Sequence, residues 1–198
     1  MNAVSTETHA DTDAAIIQAS LGDPDRFAVI YDRYAATLYR YAHQRVGAES
    51  ADDVVAEAFL AAFRGRGQYD LSRPDARPWL FGILTRKLAS HHRKEKARYR
   101  AMARAAPDGV LDGPADEVAT RVIADAARRP LAAALAGLSR GDRDVLLLVA
   151  WGQLSYDEVA AALKIPPGTV GSRLNRARRK VREALGGVDP FGTSEEER

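Results

Sequence analysis

Along most of the chain, apolar residues return at steps of three and four, the period of a helix laid against a core. From Phe27 the positions Ile30, Tyr31, Tyr34, Leu38, Tyr41, Ala42 and Val46 share one side. Asp23 and Pro24 supply a start signal for that helix and Gly47 a stop. The tyrosine stripe reads as core packing with hydroxyls left in water. A shorter helix is expected before it, from Asp13 to Leu21, closed by Gly22. Ser50 with Asp53 three residues on reads as a capping box. It predicts a helix over Ala51–Arg64 that buries Val55, Ala58, Phe59, Ala62 and Phe63. Turn formers fill Gly65 to Pro74. Pro78 then opens one long helix with Trp79, Leu80, Ile83, Leu84 and Leu88 inward. Farther on, Pro130 starts a helix through Leu131 and Leu135. A third capping box, Ser139 and Asp142, precedes a run from Val145 to Trp151 that is apolar nearly all round. No strand-like alternation stands out.

The most informative stretch is Ser155 to Leu185. Ser155 and Glu158 form a capping box ahead of Val159, Ala162 and Leu163. Lys164-Ile165-Pro166-Pro167 stops that short helix, because proline lacks an N–H and clashes with the turn before it. Proline is tolerated in a first turn, so a second helix begins near Pro167. Val170, Leu174, Ala177, Val181, Ala184 and Leu185 make its apolar stripe. Its other faces carry Arg173, Arg176, Arg178, Arg179, Lys180 and Arg182, with no acid before Glu183. A capped short helix, a sharp break and a one-sided basic helix make a helix-turn-helix, whose second helix suits the DNA major groove.

Composition sharpens this picture. The chain has 198 residues, 46% of them apolar, with a net charge of +2 and no cysteine. The near balance hides segregation: bases crowd into two helices, acids into the tails and the middle. The far half of the helix after Pro78 sets Arg86, Lys87, Arg93, Lys94, Lys96, Arg98, Arg100 and Arg104 against a single acid, Glu95. The missing cysteine removes disulfides and thiolate metal sites and agrees with a cytoplasmic protein. No run of 18 apolar residues occurs, so membrane insertion is not expected, and the opening residues lack the pattern of a secretory signal. His91 and His92 are adjacent and point about 100° apart, which suits no shared ion. Asp52, Asp53 and Glu57 form an acidic patch, open to three readings: helix-dipole complement, metal site or contact with a basic partner.

The expected fold class is all-α: two helical domains joined by a flexible linker, the second containing the helix-turn-helix. The domains are placed at residues 13–105 and 130–187, with an acidic linker at 106–129 and loose tails at 1–12 and 188–198.

This layout resembles the extracytoplasmic-function (ECF) group of the sigma-70 family, promoter-specificity subunits of bacterial RNA polymerase. SADDVVAEAFLAAF is similar to the helix that docks on the polymerase β′ clamp helices. ARPWLFGILTRKLASHHRK resembles the helix that reads and opens the −10 element. The stretch from GLSR to REAL resembles the domain that reads the −35 element. The resemblance spans roughly residues 13 to 186. It implies core-polymerase contacts at Asp52, Asp53, Glu57 and Phe59. It implies −10 contacts at Tyr69, Trp79, Thr85, Arg86 and Arg93, with the Gly67–Pro74 loop holding a flipped base. It implies −35 contacts at Thr169, Ser172, Arg173, Asn175, Arg176 and Arg179. The implied partners are core polymerase through β′ and β, promoter DNA, and an anti-sigma protein of the kind common in the family. No catalytic residue, metal or cofactor follows from it. Four positions depart from the family pattern: Ala56, Arg86, Gly171 and Lys164, where Gln, Asn, Lys and Gly are usual. A left-handed turn at Lys164 would cost about 1 kcal/mol.

Two rivals stand beside this reading. One is a stand-alone helix-turn-helix regulator, which is expected to dimerise on a palindrome. The other is a metal enzyme using the Asp52, Asp53 and Glu57 carboxylates.

Overall fold

The computed structural model describes residues 12–104 and 129–187. The expected linker and amino-terminal tail, each apart from its last residue, and the carboxy-terminal tail lie outside these. Every regular element among the described residues is helical.

The first domain begins with α1 (Asp13–Ala19), capped by the Thr12 hydroxyl, which accepts from the Ala15 N–H. Asp23 then caps a 3₁₀ turn, Pro24–Phe27, that leads directly into α2 (Ala28–Val46). Gly47, at φ 85°, joins it to α3 (Ala48–Gly65). The expected capping box at Ser50 and Asp53 does not form. The helix starts three residues earlier, and Ser50 is buried within its first turn. A 3₁₀ turn, Arg66–Gln68, precedes the loop into α4 (Arg77–Leu88). Ile30, Leu38 and Ala42 from α2, Val54, Ala58 and Ala62 from α3, and Leu80, Phe81 and Leu84 from α4 are all nearly inaccessible. At about 1.5–3 kcal/mol for each large side chain, that burial holds the three helices together. Asp13 ties the outer layer on: its carboxylate takes Arg33 Nη1 at 2.7 Å, the Ala76 N–H at 2.8 Å and the Tyr34 hydroxyl.

The single long helix expected after Pro78 is broken. A 3₁₀ turn at Ala89–His91 separates α4 from α5 (His92–Arg104). The Ser90 hydroxyl donates to the Lys87 carbonyl at 2.7 Å, a local bond that competes with continued helix. The bend lets α5 fold back along α2. There Arg98 Nη1 reaches the His43 and Gln44 carbonyls at 3.1 and 2.7 Å, satisfying the open end of α2.

The second domain holds α6 (residues 129–137), α7 (Arg140–Ala150), α8 (Tyr156–Leu163) and α9 (Pro167–Ala184). The Ser139 hydroxyl accepts from the Asp142 N–H at 3.2 Å, so half of the expected third box is present. Val145, Leu147, Leu148, Val159, Val170, Leu174, Ala177 and Val181 are fully buried and form its core.

The two domains pack face to face. α4 crosses α8 so closely that a Cβ on Gly82 would collide with the Ala162 carbonyl oxygen. Arg77 Nη2 donates to the Gly152 carbonyl at 2.6 Å. Beside this contact lies a buried ionic network. Arg45 of α2 donates from Nε to Glu95 Oε1 of α5 and from Nη2 to Asp144 Oδ1 of α7, both at 2.7 Å. Arg143 of α7 lies 3.3 Å from Glu95 Oε2. These four side chains are at most 8% exposed. Two positive and two negative groups sum to zero, which is the condition for holding ions away from water. Tyr41, 1% exposed, places its hydroxyl 3.1 Å from Arg45 Nη1, so that tyrosine is not wetted as the stripe suggested.

Candidate nucleic-acid interface

The capping box of α8 is complete. The Glu158 carboxylate accepts from the Ser155 N–H at 2.6 Å, and the Ser155 hydroxyl from the Glu158 N–H at 3.2 Å. Lys164 ends α8 in the left-handed region, at φ 53° and ψ 48°, as the usual glycine at this position anticipates. Pro166 is extended and Pro167 opens α9. With Val170, Leu174, Ala177 and Val181 inward, α9 turns Ser172, Asn175, Arg176 and Arg179 to solvent, and Thr169 is half-buried. Arg176 Nη1 is braced at 3.1 Å by Asp142, which is itself 3% exposed. Sequence periodicity gave no sign of Asp142 as a support, because its partner lies on another helix.

Arg173 differs from its neighbours on α9. Its guanidinium lies against Gly141 at the start of α7, where a Cβ would sit 2.9 Å from Nη1. With Gly82, Thr85 and Arg86 of the first domain it lines a cavity at the seam.

Of the −10 candidates, Tyr69, Trp79 and Arg86 come together around the loop between α3 and α4. Asp70 organises that loop: its carboxylate accepts from Ser72 Oγ at 2.7 Å and from the Ser72 N–H at 3.1 Å. Those bonds hold its carboxyl below the usual carboxylate range. Tyr69 donates to the Arg73 carbonyl at 2.7 Å and meets Trp79 edge-on, centroids 4.9 Å apart. Burial pushes the Tyr69 hydroxyl up to about 12. A cavity of about 840 Å³ opens here between the domains. Tyr69, Trp79, Arg86 and Lys87 line one side and Asp157 and Lys164 the other. Arg86 and Arg93 are exposed. Thr85 is 3% exposed and faces the seam between the domains, out of reach of a strand in this arrangement.

On the outer side of α3, Asp52, Asp53 and Glu57 are exposed. Lys87 Nζ lies 3.2 Å from Glu57 Oε2. Phe59 is buried at 6% and packs under Tyr31, centroids 4.8 Å apart. The apolar residues offered to solvent beside the acids are Leu60, 48% exposed, and Tyr31, 50% exposed. Leu60 falls three residues after Glu57 and seven after Asp53, on the same helical stripe, a signal that sequence spacing could have supplied. Among the described residues no group of three or more His, Asp or Glu is placed to hold a metal ion.

Residues 30–98 match Sigma-70 region 2 and residues 128–181 match Sigma-70 region 4. The ECF RNA polymerase sigma factor SigW of Bacillus subtilis is 30% identical over 183 residues, 86% of this chain and 94% of that protein. The chain belongs to the ECF sigma factors. SigK of Mycolicibacterium vanbaalenii is 29% identical over 184 residues, 89% of this sigma factor and 90% of its relative. Among solved structures, CnrH in complex with the cytosolic domain of CnrY aligns with a TM-score of 0.62 at 27% identity, covering 88% of this chain and 97% of that one. The sigma factor RpoE of Bartonella quintana, bound to the anti-sigma factor NepR, gives 0.54 at 22% identity, covering 81% and 96%, a likeness of fold. No helix among the described residues is long and apolar enough to cross a membrane.

Proposed function

We propose that this sigma factor reads promoters through two faces that the structure holds together at one seam. As an ECF sigma factor it directs core RNA polymerase to promoter DNA through −10 and −35 elements. The α9 surface of Thr169, Ser172, Asn175, Arg176 and Arg179 reads −35 in the major groove. Arg173 joins it once the seam opens. The loop after α3, with Tyr69 and Trp79, takes an unpaired −10 base, and Arg86 and Arg93 follow the strand. Asp52, Asp53 and Glu57, with Leu60 beside them, dock on the polymerase, while Phe59 supports that face from beneath. The carrying observation is the one-sided α9, apolar within and basic without, behind a complete capping box.

This reading requires the domains to separate. Elements centred about 25 base pairs apart are about 85 Å apart along B-DNA at ~3.4 Å per step. A compact body of this size has a radius of gyration of only about 15 Å. The packed arrangement is therefore a resting form, and polymerase selects the opened one. An anti-sigma protein is a further proposed partner, and the cytoplasm the proposed location. The chain's chemistry is recognition, and the polymerase makes the bonds. A regulator acting without polymerase is not favoured, because both sigma regions are present in order. Run-off transcription with core enzyme, with and without this protein, tests the reading. A promoter-specific transcript that depends on added protein is expected, and DNA binding without any such transcript would sink it.

A further inference from the structure

Between α4, α7 and α9 the seam encloses a second cavity, of about 400 Å³. Thr85, Arg86, Arg140, Asp144, Lys164 and Arg173 line it. Four of these are cations and one is an acid. Asp144 is already engaged, with Arg45 at 2.7 Å and Arg140 at 3.5 Å. No carboxylate lies within 4.0 Å of Arg86, Lys164 or Arg173 among the described residues. Like charges gathered in a partly enclosed space repel one another. The Thr85 hydroxyl is buried beside them and has no hydrogen-bond partner. A buried hydroxyl is normally satisfied, so this one marks a missing partner, and its O–H is free to donate to an anion's oxygen. α7 also begins at the cavity wall, with Arg140 and Gly141 in its first turn, and a helix start favours negative charge even with the Asp142 N–H already taken by the Ser139 hydroxyl.

One kind of guest answers all three features. It carries at least two negative charges, offers several acceptor oxygens, and fits a space at the small end of ligand-site volumes. Guanidinium forks match phosphate oxygens in pairs, and an ammonium serves as a point charge. We propose that the seam cavity binds a free phosphate-bearing anion of about diphosphate size. Bound there, it ties α4 to α7 and α9 and holds the domains closed, with Arg86 and Arg173 withheld from DNA. The DNA backbone is the other source of phosphate. It is disfavoured because the cavity exists only while the domains are together, and there α4 and α8 stand at backbone contact through Gly82 and Ala162.

The test uses the full chain without polymerase, at fixed ionic strength, with pyrophosphate as probe. Calorimetry and thermal unfolding should show saturable binding and a rising Tm, with sulfate at matched ionic strength giving much less. Two variants should keep the fold and lose the ligand. Thr85→Val removes the orphan hydroxyl at constant shape, so the free protein should melt no lower while pyrophosphate binds about tenfold more weakly. Lys164→Gly relieves the left-handed backbone and removes one cation, with the same paired outcome. A short single-stranded oligonucleotide should compete with pyrophosphate, and small-angle scattering should show the compact form retained only with pyrophosphate. Absence of saturable binding, or binding that neither variant weakens, overturns the proposal. It rests on the closed arrangement and not on transcription, so its failure leaves the promoter reading intact, and a failed run-off assay leaves it intact in turn.

Discussion

Arg45 and Asp144 are 99 residues apart in the chain and meet at 2.7 Å in the seam between the domains, where the arginine side chain is 2% exposed. Burial by itself would draw a proton off that guanidinium. The acidic groups around it outweigh burial and hold its pKa well above the ordinary value. A buried ion group is stable only while its charges balance. Glu95→Ala removes one of two carboxylates and leaves Arg45 and Arg143 against Asp144. The expected loss is about 3–5 kcal/mol of the closed form. Denaturation midpoints and the scattering radius should report it together, as lower stability and a larger molecule. An unchanged radius would show that packing alone closes the seam.

Gly82 tests packing separately from charge. An alanine there would place its Cβ against the Ala162 carbonyl, which is backbone and cannot swing aside. Forcing a methyl into such a contact costs about 1–3 kcal/mol. The cost falls on the closed arrangement, since the collision is between domains. Gly82→Ala should therefore raise the open population about tenfold, and apparent affinity for core polymerase in the same proportion. Competition binding to core enzyme reads this directly. Weaker core binding by a folded Gly82→Ala protein would contradict a closed resting form.

Much of this is legible in the amino-acid sequence itself. The Ser155–Glu158 box, the proline break and the inward stripe of α9 are local rules, settled within one or two turns; the first two hold, and the stripe holds as far as Val181, beyond which Ala184 is exposed at the helix end. The Ser50–Asp53 box failed because Gly47 already turns the chain, so the helix starts ahead of the serine. The long helix failed at Ala89–His91 because α5 gains more by packing on α2 than by running on. The seam was hidden for a different reason. Glu95 stands in the sequence as a lone acid among bases, and nothing marks Arg45, because a pairing across the fold leaves no periodic trace. The clue available was the oddity itself: a single carboxylate in a run of eight cations from Arg86 to Arg104.

Alkaline pH should open the same seam. Burial pushes the Tyr41 hydroxyl up to about 12 in the folded protein, against about 10 when exposed. The folded state then holds a proton that the unfolded chain has released. The stabilising contribution is complete below pH 10 and disappears as pH climbs toward 12. Burial pushes Tyr99 upward as well, and its hydroxyl has no partner in the seam. Tyr41→Phe removes one titrating group, so its Tm should fall less steeply between pH 10 and 12 than that of the parent. Equal slopes would remove Tyr41 from the transition.

The Asp142–Arg176 pair predicts a graded effect on DNA. If Arg176 reads a guanine edge, Arg176→Ala weakens −35 binding by about 1–3 kcal/mol and relaxes preference at one base pair. Asp142→Ala leaves the arginine in place but unbraced at the 3.1 Å contact. It should give a smaller loss, and the double variant should lose no more than Arg176→Ala does alone. Fluorescence anisotropy on −35 duplexes, with each base pair varied in turn, measures this. Additive losses would mean that Asp142 acts elsewhere.

The exposed face of α3 supplies the last expectation. Asp53 and Glu57 are one helical turn apart and Leu60 nearly one more, so two acids and an apolar residue form a single strip. Rim charges steer association while a central apolar residue carries more of the affinity. Asp53→Lys should therefore slow binding to core polymerase and make it less sensitive to salt, while Tm stays within about 1 kcal/mol of the parent's stability, as expected of an exposed site. Leu60→Ala should instead speed dissociation, with little change in the salt dependence. Because Phe59 lies beneath at 6% exposure, Phe59→Ala should lower stability by about 3–5 kcal/mol before it touches binding. Surface-plasmon kinetics at two salt concentrations separate the three. If Asp53→Lys binds core at the parental rate in both, the acidic strip is not the docking face.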